Sequence, residues 1–292
     1  MISITPQDIP TGKLHGYLLG SVSPRPICFA STVDMEGNVN LSPYSFFNVF
    51  SAKPPILIFS PARRVRDNTT KHTLENVLET KEVVINIVSY AMVQQMSLSS
   101  TEYAKGVNEF VKAGFTETAS EIVAPPRVAE APVQLECKVN EVIALGTEGG
   151  AGNLVICEVV KLHIDESILD AAGVIDPLKI DTVSRMGGNW YSRAKEGLFE
   201  VPKPLSTLGL GIDALPVEVQ RSNVLTGNDL GFLGNVEHFP SEEFIQNFSL
   251  NASETIQYAL TSGTVEERHL AAKGLISEGK IMEALSLLLA KQ

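Results

Sequence analysis

Positive charge is scarce in this chain, and so are tryptophan and cysteine. Against 34 Asp and Glu there are 23 Lys and Arg, for a formal net charge of -11. Nucleic acids and anionic membranes are held by clustered Lys and Arg, so neither is an expected partner, and any anion site must be built locally. The three cysteines, Cys28, Cys137 and Cys157, are far apart without metal-type spacing and lie in apolar strand-like runs. They read as reduced core thiols of a cytoplasmic protein. The five histidines show no HxH or HExxH spacing, so no metal is expected. No window approaches the roughly 18 apolar residues that span a bilayer, and the start, Met1 to Pro6, lacks the basic-then-apolar order of a secretory signal. A nucleophile elbow (GxSxG), an intact dinucleotide fingerprint (GxGxxG) and a phosphate-binding Walker loop are also missing, which removes serine hydrolases and Rossmann enzymes.

What remains is 292 residues with 44% hydrophobic content, enough for one large domain or two modest ones. Residues 27–33 form an apolar β-rich run. Asp34 to Gly37 have turn chemistry, and the chain extends again over 39–44, a predicted hairpin. A third strand is expected over 56–60 after Pro54-Pro55, then an Arg-rich loop. A short helix follows with Leu74, Val77 and Leu78 on one face, and a fourth strand over 83–88. Residues 90–112 read as one amphipathic helix with Val107, Phe110 and Val111 in a stripe. Alternation of Val133, Leu135, Cys137 and Val139 with polar residues predicts a strand with one buried face. A long strand is expected from 154 to 164, after a glycine-rich hairpin loop. Five to seven strands with inserted helices predict a mainly β, α+β fold with an antiparallel barrel rather than a βαβ sheet. Beyond about 204 the chain turns loop-rich. From 241 to 292 it reads as an appendage of two to four helices, with capping-box spacing at Asn251/Glu254 and Thr264/Glu267.

Three clusters carry candidate chemistry. In the first, Arg25 sits between two prolines, and Thr32, Asn40, Ser42, Ser45 and Asn48 offer hydrogen bonds beside Phe46 and Phe47. A guanidinium, hydroxyls and amides suit a phosphate and a polyol, and the Phe pair can wall a flat ring. Taken singly, the same hydroxyls cap turns and the Phe pair is core. The second cluster, Arg63 to Thr73, gathers cations and threonines before a helix whose N-terminal amides, with Lys71 and Thr73, suit a phosphate. The third, Arg185 to Tyr191, pairs Gly187 and Gly188 with Arg185, Trp190 and Tyr191, which can stack on a ligand. His163 is either a ring-edge ligand or a satisfied strand histidine.

A phosphorylated planar ring in an antiparallel barrel points to flavin mononucleotide (FMN). From about 10 to 200 the sequence resembles the flavin reductase-like family with the FMN-binding split barrel, which includes flavoredoxin and reductase components of flavoprotein oxygenases. The matching runs occur in order: SPRPI (23–27), STVDMEG (31–37), NLSPYSFFN (40–48), PP-ILIFSP (54–61), NTTKHT (68–73), VNEFVKAGF (107–115), LECKV (135–139) and SRMGGNWY (184–191). The resemblance implies a split barrel over 1–204 and an extension over 205–292. GLGIDALP (209–216) and LTGNDLG (225–231) resemble an extension carried by some relatives. It implies FMN along 40–48, with Thr32, Asn40, Ser42, Pro43, Ser45, Phe46 and Asn48 at the ring and ribityl chain. Lys71 and Thr73 would hold the phosphate, with Arg25, Arg185 and Gly187 nearby. His72 stands where the family usually has Asp. The implied activity is hydride transfer from NADH or NADPH to flavin, which carries the chemistry itself, so no catalytic side chain is named. A homodimer and an oxygenase or other electron acceptor are the implied partners. The alternatives are a flavoredoxin-like electron carrier without nicotinamide turnover, a pyridoxamine-phosphate oxidase-like enzyme, and an interaction protein without flavin.

Overall fold

The computed structural model describes residues 1–201, 204 and 207–290. Two compact units emerge, Met1–Phe199 and Glu200–Gln292. The expected boundary at 204/205 abuts positions outside the described residues, 202, 203, 205 and 206.

The first unit opens with helix α1 (Thr11–Ser21), then strands β1 (Cys28–Val33), β2 (Val39–Tyr44), β3 (Phe47–Ala52) and β4 (Pro55–Phe59). Helix α2 (His72–Thr80), β5 (Glu82–Ile87), α3 (Val93–Leu98) and α4 (Glu109–Ala113) follow. Next come a small ladder of β6 (Glu117–Thr118) and β7 (Arg127–Val128), the long hairpin β8 (Val133–Ala144) and β9 (Asn153–Ile164), and the short pair β10 (Val183–Arg185) and β11 (Tyr191–Arg193). The main sheet has seven strands in the order β2-β1-β5-β8-β9-β4-β3, and every recorded pairing is antiparallel. Its two edges, β2 and β3, are consecutive in the chain. The edges therefore face the same short crossing, Ser45-Phe46, where a closed barrel would have a ladder. This is the split of a split barrel.

Burial follows from the alternation of side chains across the sheet. One face carries Cys28, Tyr44, Phe59, Ile85, Cys137 and Cys157 with Leu74 and Val77 of α2. The other carries Phe29, Leu41 and Val88 with Met92, Met96, Phe110 and Phe115. All three cysteines are free and buried.

Several expectations for the first unit need correcting. Residues 90–112 are not one helix: α3 stops at Leu98, and α4 starts afresh with Asn108 as its cap, accepting from the Phe110 amide. Gly106 between them has φ of +83°, a left-handed conformation that breaks a helix. Val111 is accordingly exposed while Phe110 is buried. Leu78 is also exposed, since only Leu74 and Val77 face the core. The strand at 133–139 does not have one buried face, because Gln134 and Glu136 are buried too. Glu136 is satisfied there by the amides of Glu121, Ile122 and Val123 and by His163 Nε2 at 2.7 Å. Burial would raise its pKa, but these donors hold the carboxyl down to about 2. His163 is thus a satisfied strand histidine.

Among the described residues, the regular structure of the second unit is helical. α5 (Val217–Gln220) and α6 (Gly227–Gly234) occupy the stretch expected to be loop. α7 (Glu242–Asn251), α8 (Glu254–Thr261), α9 (Val265–Ser277) and α10 (Ile281–Leu289) make up the expected helical tail. Its own core holds Leu215, Leu225, Leu233, Ala272, Ile276, Leu285 and Leu287. The Thr264/Glu267 capping box is present. The Asn251/Glu254 box is not: Asn251 ends α7, and Ser253 is the cap residue of α8.

One histidine in this core has a fixed proton. Ser222 Oγ accepts from the amides of Val224 and Leu225, at 3.1 and 3.0 Å. Its single hydrogen therefore goes to His269 Nδ1 at 2.8 Å, so the ring must be neutral with its proton on Nε2. Burial lowers the His269 pKa from 6.5, with Glu218 opposing and Arg268 assisting. The unfolded chain takes up a proton below about pH 6.5 that the folded ring refuses, so stability should fall as pH drops through and below that value. Thermal melts from pH 7.5 to 5 should show this acid loss in the wild type and a flatter profile in His269→Gln; identical profiles would show that His269 does not carry it.

Candidate functional site

Strand β2 lies along a cleft, and its residues define the two ends. At one end Asn40, Ser42 and Tyr44 face Arg64, Lys71 and His72 across a narrow space of about 20 Å³. Ser100, Thr101, Glu102 and Tyr103, from the loop after α3, and Glu109 at the start of α4 form the remaining wall. At the other end Pro43, Tyr44 and Ser45 face Met96, Ser97, Arg185 and Tyr191 around a wider space of about 220 Å³. Tyr44 and Ser100 line both, so the two spaces meet.

The narrow end is fixed by a buried hydrogen-bond node. Thr73 Oγ1 accepts from Asn40 Nδ2 and from the Tyr44 hydroxyl, each at 2.8 Å. Thr73 is fully buried in the first turn of α2. The node pins the N-terminus of that helix against β2. Burial pushes the Tyr44 phenol up to about 12, against the pull of Thr73 and Ser42, so it is a neutral donor. The amides of His72 and Thr73, at the helix start, donate to no backbone or side-chain group among the described residues. Beside them the Lys71 ammonium makes no hydrogen bond or ion pair among the described residues. Burial and then Arg64 lower its pKa. A half-buried cation beside free helix amides is suited to an anion.

Arg64 is aimed by its loop. Its guanidinium donates to Thr69 Oγ1 and Thr70 O, and Nε reaches Glu102 at 3.1 Å. The β8–β9 hairpin tip supports this loop: Arg63 N donates to Ala151 O, and Gly150 N to Arg63 O. A Cβ at Gly149 would come within 3.0 Å of the carbonyl oxygens of Arg64 and Val65, so only glycine lets the tip lie so close.

The wider end is flanked by Arg185, whose guanidinium stacks over the Tyr191 ring at 4.6 Å. Arg25 and Arg185 are joined by a two-way backbone bridge. The Arg25 side chain, however, points inward. It donates to the carbonyls of Leu19, Val22 and Met186 and contacts Ser45 Oγ at 3.4 Å. Burial and the nearby Arg185 lower its pKa. Arg25 is a latch between the end of α1, Ser45 just after β2, and the loop after β10.

Of the residues singled out by sequence, the structure brings Asn40, Ser42, Pro43, Ser45, Lys71 and Arg185 onto one cleft. Arg25 and the Thr73 hydroxyl stand directly behind it. Four others do not line it. Thr32 is fully buried and accepts from Asn76 Nδ2. Phe46 stands edge-on to His15. Asn48 lies exposed on β3, its Oδ1 on the Val49 amide. Gly187 is needed because a Cβ there would meet Gly20 Cα at 3.2 Å, so its smallness serves the approach of α1. Sequence reasoning missed Tyr44 and the whole wall 100–103. The run Ser99-Ser100-Thr101, rich in hydroxyls, was the available sign that 90–112 is interrupted. Glu109 was also missed. Nearly buried, it accepts from the Leu41 amide at 2.9 Å, and burial raises its pKa.

The chain and its fold resemble known proteins. Residues 19–179 match the family model described as flavin reductase like domain. Among solved structures, nitrilotriacetate monooxygenase component B of Bacillus cereus superposes with a TM-score of 0.65 at 30% identity, covering 69% of this chain and 98% of that one. The 2-nitrobenzoate 2-nitroreductase NbaA of Pseudomonas fluorescens gives 0.62 at 26% identity, covering 71% and 100%. A putative flavin reductase with a split barrel domain from Shewanella frigidimarina gives 0.58 at 26%, covering 68% and 95%.

Removing the latch tests the inward reading of Arg25. Arg25→Ala would orphan three carbonyls and should cost about 2 kcal/mol of stability, the scale of charge-assisted hydrogen bonds. Chemical denaturation measures it, and a loss below about 0.5 kcal/mol, typical of surface changes, would refute the latch.

Proposed function

This chain belongs to the flavin reductase-like family, and we propose that it is an FMN-dependent oxidoreductase that takes hydride from NADH or NADPH. The observation that carries the reading is the cleft along β2, with a Lys71 ammonium unpartnered among the described residues at one end and a wider, aromatic-flanked space at the other. The donor set suits the cofactor: an ammonium and two free amides for the phosphate, Asn40 and Ser42 for the polyol, and Tyr44, Pro43 and Tyr191 for the ring. When bound, FMN supplies the ring nitrogen that accepts hydride.

The chain's own residues do the rest. Lys71 and the α2 amides neutralise the phosphate and fix one end of the ligand. Ser45 and neighbouring backbone orient the ring edge. Arg185, held by Tyr191, places positive charge at the wide end, where charge builds on a reduced ring. No side chain has to act as nucleophile or proton relay in this scheme.

A homodimer fits the reading, since the edge strand β3 exposes Val49 and Phe50, apolar groups that a second subunit would cover. The three buried thiols suit a reducing, cytoplasmic setting. Component B of a monooxygenase supports a separate oxygenase as the electron acceptor.

A visible spectrum of protein with FMN, followed anaerobically by NADH and then NADPH, tests the function. We expect rapid bleaching with one nucleotide. A bound flavin that bleaches only with dithionite would instead mean a flavoredoxin-like carrier. The phosphate assignment makes a second prediction. Lys71→Ala should weaken FMN by roughly 1–3 kcal/mol and leave riboflavin, which lacks the phosphate, unchanged. Equal loss for both ligands by flavin fluorescence titration would remove Lys71 from the phosphate.

A further inference from the structure

Two carboxyl groups line the Lys71 end of the cleft, Glu109, which is held by the Leu41 amide, and Glu102, which is held by arginines that could otherwise meet a phosphate. Glu102, on the loop between α3 and α4, lines that end. Its carboxylate binds two cations of the Arg-rich loop, Arg64 Nε at 3.1 Å and Arg66 Nη2 at 2.9 Å. Hydrogen bonding from Arg66, then the charges of Arg64 and Arg66, hold its carboxyl below the usual carboxylate range, so it is an anion at neutral pH. The space remaining there, about 20 Å³, suffices for about one water molecule.

We propose that Glu102 is a gate at the phosphate end of the cleft: its carboxylate takes the place of an anion on Arg64, and an incoming phosphate must displace it. The proposal rests on the flavin reading above and deepens it. No covalent step is involved; the exchange is one anion for another on the same cation.

The consequence is a cofactor held for exchange rather than for permanence. Each binding event separates Glu102 from Arg64, so part of the phosphate's interaction is offset by the ion pair that is lost. Any Glu102 charge that stays nearby also repels the phosphate. The gate therefore lowers affinity only for phosphorylated flavins. It would let FMN leave to a separate acceptor protein, whereas a chain lacking this carboxylate would retain it. The geometry allows the motion. Glu102 is partly exposed, and the loop that carries it has no regular secondary structure between Leu98 and Glu109.

The opposite role is that Glu102 merely holds Arg64 in place for the phosphate. The two roles predict opposite signs for one substitution. Glu102→Gln removes the negative charge and keeps the size. Titration of flavin fluorescence should give FMN binding about tenfold tighter than wild type, the scale of one lost charge contact. Stopped-flow displacement should show slower FMN release, and riboflavin affinity should stay unchanged. Glu102→Ala, which cannot hold an arginine at all, should move in the same direction. Unchanged or weaker FMN binding in the Gln variant would overturn the gate. So would equal tightening of riboflavin. Wild-type protein that binds neither flavin would overturn the flavin reading itself, an outcome distinct from both.

Discussion

The Thr73 hydroxyl, accepting from Asn40 and Tyr44 at 2.8 Å each, ties the start of α2 to β2, and the candidate site depends on that tie. Both donors come from the strand that forms one edge of the sheet. Leu74, Val77 and Asn76 pack the body of α2 on the sheet, and the node adds the contact that ties its first turn, next to Lys71, directly to Asn40 and Tyr44. The node is buried, so losing either donor would leave unsatisfied polar groups in the core, which costs more than the bond itself gains. Burial and the two hydrogen bonds converging on Thr73 Oγ1 make it rigid, and rigidity is what an anion site on a helix terminus needs.

The split in the barrel does the complementary work. Because the two edge strands are consecutive, a single short crossing at Ser45-Phe46 leaves one side of β2 free of a ladder partner. The cleft runs along that edge, with Asn40, Ser42 and Tyr44 at its narrow end and Pro43, Tyr44 and Ser45 at its wider end, while Leu41 faces the core. Arg25 then closes the back of that region by gathering carbonyls from α1 and from the loop after β10. Two clusters far apart in sequence, 23–48 and 185–191, are brought together this way.

Much of the barrel was legible because its strands are written in β-branched and apolar runs: 27–33, 83–88, 133–139 and 154–164 all form strands. β3 was not, since it is an exposed edge strand and its Asn48, Val49 and Phe50 do not alternate in burial. α1 was hidden by Gly12, Gly16 and Gly20, which depress helix propensity in a helix that buries no side chain. The short helices α5 and α6 were hidden likewise by length and by Gly227, Gly231 and Gly234. Within the site, the wall supplied by β2 was readable as one local motif. The opposite wall, 100–103, comes from a different segment, and nothing local marks Glu102 as a neighbour of Arg64. Burial was the other blind spot: Thr32 and the hydroxyl of Thr73 are the right residue types for a polyol or phosphate, yet they face inward.

The central claim is that the Lys71 end of the β2 cleft receives the phosphate of FMN. A crystal structure of the protein grown with FMN tests it most directly. The account predicts phosphate density against Lys71 Nζ and the amides of His72 and Thr73, with the ring between Pro43 and Tyr191. Density for the phosphate elsewhere, with Lys71 facing solvent, would contradict it.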